Sequence, residues 1–321
     1  MNPPNSTERP ALTGWKDAGW RYHAYSFYLR QQYGARVQRI SLDGGMSCPN
    51  RDGRVGFEGC IFCDNRSFSP SRRMPQASLA TQLEAGIRQV RTRFGCERFV
   101  AYLQPSTNTY GSVTQLRELY EQAISRPEIV ALSIGTRPDC VPEPVLDLLG
   151  EFARRTSLTV EFGLQTMHDR SLTWLRRGHD YGAFLDAIQR ARGRGFRLGA
   201  HVILGIPRET REDMRATARE LARLDLDAVK IHNLYAVRNT PLEELVNRGS
   251  VPLWDRLEFV HAAVDFLELL PPRMVVERVG GTAPPEFLVA PRWCRDRPGL
   301  LTALRAELLR RDSWQGKLWH S

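Results

Sequence analysis

Between residues 36 and 235 a short β-rich apolar run gives way to a longer stretch of helical period, six times over. The runs are VQRISL (37–42), RFVAYLQ (98–104), IVALSIG (129–135), LTVEFGL (158–164), FRLGAHVIL (196–204) and DAVKIHNLY (227–235). Among the helical stretches are VTQLRELYEQAI (113–124), PEPVLDLLGEFARR (142–155), YGAFLDAIQRARGRG (181–195) and REDMRATARELARL (211–224). Most open after a polar or proline residue and close near glycine or arginine, as helix ends do. Strand followed by helix, repeated, calls for a parallel sheet with right-handed crossovers. The expected fold is therefore α/β, as an open doubly wound sheet or a partial (β/α)6 barrel.

In both architectures function gathers where a strand ends and the next helix begins. The loops concerned are DGGMSCPNRDG, QPSTNTYG, GTRPDC, QTMHDR and GIPRET, and they hold the unusual motifs of this chain. Outside the core, residues 1–35 are expected to form an N-terminal arm whose aromatic WRYHAYSFYL packs down. Residues 236–321 are expected as a small C-terminal α/β extension with a helix (255–270), a strand (273–280) and a last helix (299–311).

The 321 residues are 42% hydrophobic, enough for one large core, and no run of eighteen apolar residues would cross a membrane. The N-terminal segment has no apolar signal region, so a cytoplasmic protein is expected. A formal charge of +9 fits an anionic partner such as nucleic acid; it fits equally the habit of an arginine-rich proteome. Six cysteines in such a chain are not read as a disulfide framework.

Three of the six lie together in CPNRDGRVGFEGCIFC, at Cys48, Cys60 and Cys63. A closed structural zinc site takes four ligands, and no histidine occurs between His23 and His168, which leaves Asp52 or Asp64 to complete one. An iron–sulfur cube takes four cysteines; with three, one iron keeps a position open for a substrate or cofactor. The loop glycines let backbone N–H groups turn inward toward sulfide, and Phe62 either shields a cluster or is a core residue.

A first strand followed by a cysteine loop ending CxxC, on a chain of six βα units, resembles the radical S-adenosylmethionine (SAM) superfamily. Eleven residues separate Cys48 from Cys60, more than the usual three. The long loop, together with GTRPDC, EFGLQT, RRGHD and a C-terminal QGK, resembles the bacterial YhcC-like subgroup, cousins of the radical SAM domain of the Elongator catalytic subunit. The resemblance implies a partial TIM-type radical SAM barrel. It implies that Cys48, Cys60 and Cys63 hold a [4Fe–4S] cluster whose fourth iron receives the amino and carboxylate groups of SAM. Reductive cleavage of SAM then yields a 5′-deoxyadenosyl radical that takes hydrogen from the substrate, with flavodoxin or ferredoxin as electron donor.

The other loops are read against that chemistry. QPSTNTYG stands where the superfamily carries a GGE-like turn, so Gln104, Thr107 and Asn108 offer acceptors to the cofactor, unless the segment is an ordinary turn capping a helix at Ser112. Gln165 is implied at the cofactor ribose or carboxylate, with Glu161 either beside it or satisfied inside the barrel. Arg177 of RRGHD is implied at the cofactor carboxylate, and His201 at the ribose or in a hydrogen-bonded core position. Arg137 and Asp139 are expected to pair, and Cys140 on the rim is either a hydrogen-atom donor or a buried structural cysteine.

Three functions are in play. An RNA substrate, tRNA foremost, follows from the Elongator resemblance and the charge. A small-molecule substrate is the alternative within the superfamily, and a non-catalytic zinc and RNA-binding protein is the third.

Overall fold

The structure, a computed structural model, describes residues 14–73 and 77–320; the first thirteen residues of the expected arm lie outside these. The six expected strands are β1 (Val37–Leu42), β2 (Arg98–Leu103), β3 (Ile129–Thr136), β4 (Ser157–Gln165), β5 (Arg197–Leu204) and β6 (Ala228–Asn233). After β7 (Ala236–Val237) leaves the sheet, β8 (Val275–Val279) returns to it, and β9 (Leu288–Ala290) pairs antiparallel with β7. The main sheet runs β1-β2-β3-β4-β5-β6-β8, every neighbouring pair parallel. Strand order never reverses, as it must in a doubly wound sheet, so the sheet curls into a partial barrel. The strand of the C-terminal extension is thus the seventh strand of the core sheet.

The helices are α1 (Tyr25–Tyr33), α2 (Asn65–Phe68), α3 (Leu79–Phe94), α4 (Val113–Ala123), α5 (Glu143–Ala153), α6 (Asp169–Trp174), α7 (Tyr181–Ala191), α8 (Arg211–Arg223), α9 (Pro241–Asn247), α10 (Arg256–Glu268) and α11 (Arg297–Arg310). Local chemistry fixes their starts. Ser112 and Gln115 form a reciprocal capping box on α4, as do Thr210 and Asp213 on α8 and Asp255 and Glu258 on α10. The helices bury apolar stripes against the sheet, such as Val145, Leu146, Leu149 and Phe152 of α5. With helices outside and side chains filling the inside, β3 is buried along nearly its whole length.

The arm and the chain's C-terminal segment close the parts of the barrel that function does not need open. Tyr28 and Leu29 of α1 pack on Val37, Val100, Ala131, Ala228 and Val275, near the N-terminal ends of their strands. Ala24 bridges to Val276, whose N–H donates to the His23 carbonyl at 2.8 Å. Gln315 of the QGK motif is fully buried; its Oε1 accepts from the His23 N–H at 2.9 Å, and its Nε2 donates to the carbonyls of Pro271 and Met274 at 2.7 and 2.8 Å. An otherwise open sheet edge is thereby satisfied. Among the described residues no helix is long and apolar enough to cross a membrane.

His23 sits inside this seal with 0% exposure, and burial lowers its imidazole from 6.5 to about 4, against the raising effect of a hydrogen bond to the Arg273 carbonyl. Between those values the unfolded chain takes up a proton that the native state refuses. This contribution is therefore intact above pH 6.5 and is lost as pH falls toward 4, by about 3 kcal/mol at most. Denaturant titrations at neutral and mildly acidic pH are expected to show a smaller acid loss for His23→Asn than for wild type.

Candidate active site

The C-terminal ends of the strands open into a cavity of about 400 Å³, with Cys48, Cys60 and Cys63 on its wall. The loop carrying them is folded on itself. The Arg51 N–H donates to the Cys48 carbonyl at 2.8 Å, the Gly59 N–H to the Asn50 carbonyl at 2.7 Å, and the Cys63 N–H to the Cys60 carbonyl at 3.0 Å. Gly59 has φ +76°, and a Cβ there would lie 2.9 Å from Arg51 Nε, so the turn before the CxxC pair requires glycine.

The RRGHD segment explains how this loop is held against the barrel. Asn50 Nδ2 donates to the Arg176 carbonyl at 2.6 Å and to Cys60 Sγ at 3.4 Å. Gly178 has φ +67°, and a Cβ there would approach Asn50 Oδ1 to 2.8 Å. Between them the buried Arg177 donates from Nη1 to Cys60 Sγ at 3.1 Å and from Nη2 to the Gly163 carbonyl at 2.7 Å; its Nε has no hydrogen-bond partner in the structure. A Cβ on Gly163 would sit 3.0 Å from both Arg177 Nη2 and Gln165 Nε2, which accounts for the glycine of EFGLQT. Arg177, expected at a cofactor carboxylate, stands at the cysteine itself.

Gln165 lines the cavity from the end of β4 with φ +78°, a conformation uncommon outside glycine and concentrated at functional sites. Thr107 is also on the wall, its buried hydroxyl without a partner. Arg137 pairs with Asp139 at 2.8–2.9 Å as expected, and its Nη1 donates to the Arg177 carbonyl at 2.7 Å.

Two expected residues are not brought to the cavity. Asn108 is buried beneath the loop, where Nδ2 donates to the carbonyls of Leu103, Pro105 and Gly135 at 3.0–3.1 Å and ties backbone together. Cys140 lies off the wall in a 3₁₀ turn (Pro138–Cys140) beside Asp139, its thiol pushed up to about 12 by burial and by that carboxylate.

The cavity floor is a buried charge cluster. Glu161 Oε2 accepts from His201 Nε2 at 2.7 Å, from Tyr102 OH at 3.0 Å and from Lys230 Nζ. Arg39 Nη2 pairs with Glu277 at 2.8 Å, and Lys230 Nζ lies 3.4 Å from the same carboxylate. Burial opposes charge on Glu161, yet Lys230, His201 and Arg39 hold its carboxyl well below the usual range. Burial and the neighbouring Lys230 lower His201, so a neutral imidazole donates through Nε2. Glu161 and His201 therefore meet as a floor pair. Sequence reasoning missed Arg39, Lys230, Glu277 and Arg278. Their signal was present: charged residues inside otherwise apolar strand runs, one of them among only three lysines.

The two carboxylates that could complete a closed zinc site, Asp64 and Asp52, are engaged by other groups. Among the described residues no three His, Cys, Asp or Glu side chains gather as ligands of one ion. Asp64 is engaged by Arg66 at 2.9–3.2 Å, and Asp52 accepts from the Arg54 N–H at 3.2 Å. Burial and the adjacent Cys60 push the Cys63 thiol up to about 12, so a thiolate there needs strong positive charge beside it.

A partial parallel barrel with three cysteines after its first strand defines a class, and sequence comparison names it. The chain belongs to the radical SAM superfamily: the superfamily pattern matches residues 51–221, and the Radical_SAM C-terminal domain matches residues 226–310. It is 36% identical over 299 residues to the uncharacterized protein YtqA of Bacillus subtilis, covering 93% of each chain. It is 36% identical over 270 residues to protein YhcC of Escherichia coli, covering 84% of this chain and 86% of that one. The structure of the archaeal Elp3 of Methanocaldococcus infernus superposes with a TM-score of 0.64 at 17% identity, over 87% of this chain and 64% of that one. Members of this superfamily are enzymes that bind a [4Fe–4S] cluster and SAM.

The floor gives a direct test of the packing. Lys230→Met leaves the carboxylate of Glu161, 1% exposed, short of its nearest cation, with an expected loss of about 3–5 kcal/mol in denaturant titration. Adding Glu161→Leu to that variant is expected to restore a substantial part of the loss.

Proposed function

We propose that this enzyme carries a [4Fe–4S] cluster on Cys48, Cys60 and Cys63, binds SAM at the iron these thiolates leave free, and acts on RNA, with tRNA the foremost candidate. The observation that carries the reading is the trio of cysteines on the wall of one cavity, with the Arg177 guanidinium donating to the middle sulfur at 3.1 Å. When bound, the cluster and SAM supply a 5′-deoxyadenosyl radical for hydrogen abstraction.

The chain's own residues have separate tasks. Arg177 and Asn50 donate to the Cys60 sulfur, which fixes its orientation. Gln165 and Thr107 present polar groups to SAM from the walls, and Phe62 offers an apolar flank. The floor of Glu161, Lys230 and Tyr102, with α1 packed at the N-terminal ends of the strands, keeps bulk water from entering from below. An electron must come from outside, from a reductant of the flavodoxin or ferredoxin type.

For RNA the support is the formal +9 charge and the likeness of this chain to part of the archaeal tRNA uridine(34) acetyltransferase of Methanocaldococcus jannaschii, 26% identical over 182 residues. That match covers 56% of this chain and 32% of the relative.

Anaerobic reconstitution with iron and sulfide, followed by reduction with SAM, is expected to yield 5′-deoxyadenosine from wild type and none from Cys63→Ala. Zinc without sulfide in the reconstituted protein would refute the proposal. Binding of tRNA that weakens steeply with salt supports the RNA reading, and the absence of any such binding favours a small-molecule substrate.

A further inference from the structure

The cluster of charges under the cavity contains one cation more than its carboxylates balance. Arg39 and Lys230 share Glu161 and Glu277. Arg278 is a third cation, contributed by β8 at the register position opposite Lys230. It lines the cavity, half-buried, and among the described residues it has no carboxylate partner. Its one recorded hydrogen bond runs from Nε to the Gly280 carbonyl at 2.7 Å, which leaves both terminal nitrogens of the guanidinium for another acceptor.

The surroundings do not supply that acceptor. His232 and Tyr235 share this end of the cavity; burial and the adjacent Arg278 hold His232 well below its usual value, so it is neutral. Besides burial, the strongest influences on Arg278 come from Arg297, Tyr235, Tyr102 and Arg39. Burial and Arg297 lower its pKa, as expected of a guanidinium taken from water without a counter-ion. The backbone is shaped to hold this arrangement. A Cβ on Gly281 would lie 3.0 Å from His232 Nδ1 and closer to the Tyr235 ring, and the Gly281 N–H donates to Asn233 Oδ1 at 2.8 Å. A planar fork with free donors on a cavity wall is suited to bidentate recognition of a carboxylate or phosphate.

We propose that Arg278 binds an anionic group, a carboxylate or a phosphate, on the substrate that enters this cavity. The inference deepens the reading of the cavity as a radical SAM site, and its test does not depend on cluster chemistry. The full chain is titrated calorimetrically at low salt with inorganic phosphate and, separately, with acetate. Wild type is expected to bind at least one of them at a single saturable site. Arg278→Gln is expected to weaken that binding by about tenfold or more, Arg278→Lys by less, and the exposed control Arg292→Gln not at all. Saturation by phosphate alone assigns a nucleotide or nucleic-acid phosphate, and saturation by acetate alone assigns a substrate carboxylate.

The proposal is overturned if wild type binds neither anion, or if a folded Arg278→Gln binds as wild type does. Weakened SAM binding with unchanged anion binding would also overturn it, because Arg278 would then serve the cofactor. Should Arg278→Gln fail to fold, Arg278→Lys decides: unchanged binding rejects the bidentate role. Cys63→Ala separates this result from the proposed function, since it removes SAM cleavage and is expected to leave anion binding as in wild type.

Discussion

One guanidinium joins the cysteine loop to the barrel. Arg177 reaches from the turn after α6 to the sulfur of Cys60 with one nitrogen and to the β4 carbonyl of Gly163 with another. Charge-assisted donors to sulfur and carbonyl are stronger than neutral ones and directional. The contact therefore sets where the middle cysteine points relative to the sheet. Two glycines make it possible, Gly163 by leaving room for the guanidinium and Gly178 by turning the chain against Asn50. The long loop between Cys48 and Cys60 is not slack, because its turns close on themselves and Asn50 ties it to the Arg176 carbonyl.

The other end of the cavity depends on buried charge. Barrels of this kind can fill their interiors with apolar layers, yet this one places Glu161, Glu277, Arg39 and Lys230 there, with Tyr102 and His201 in contact. Such a cluster is poor evidence for stability, because desolvation offsets much of the attraction. Its value is a fixed polar floor below the reaction space. The residues that seal it from beneath come from both ends of the described chain: Tyr25 lies against Arg39 at 4.0 Å, and Gln315 holds the Pro271 and Met274 carbonyls just ahead of β8.

Much of this was legible in the sequence, and the parts that were not have physical causes. The βα alternation gave the six strands, since parallel strands read as apolar runs between amphipathic helices. The cysteine spacing and RRGHD pointed to one face of the barrel. The seventh strand was seen as a strand but assigned to an appendage, because pairing between distant segments leaves no local trace. Asn108 and Cys140 lie in the right loops yet are not on the cavity wall, and a loop's position does not say which of its side chains reach a cavity. Arg39, Lys230, Glu277 and Arg278 went unread because each alone resembles an exposed strand residue. Only the fold shows that Arg39, Glu161, Lys230 and Glu277 converge. Gln315 of QGK, a family-like motif at the C-terminal end, ties the arm to the segment just before β8.

The central claim is that three cysteines hold a cluster and leave one of its irons open to SAM. Electron paramagnetic resonance of the reduced, reconstituted protein, recorded with and without SAM, tests it most directly. The account predicts a [4Fe–4S]⁺ signal whose g values shift when SAM is added, with the signal lost in the Cys48→Ala, Cys60→Ala and Cys63→Ala variants. A cluster spectrum indifferent to SAM, or one that survives loss of any of the three cysteines, would contradict it.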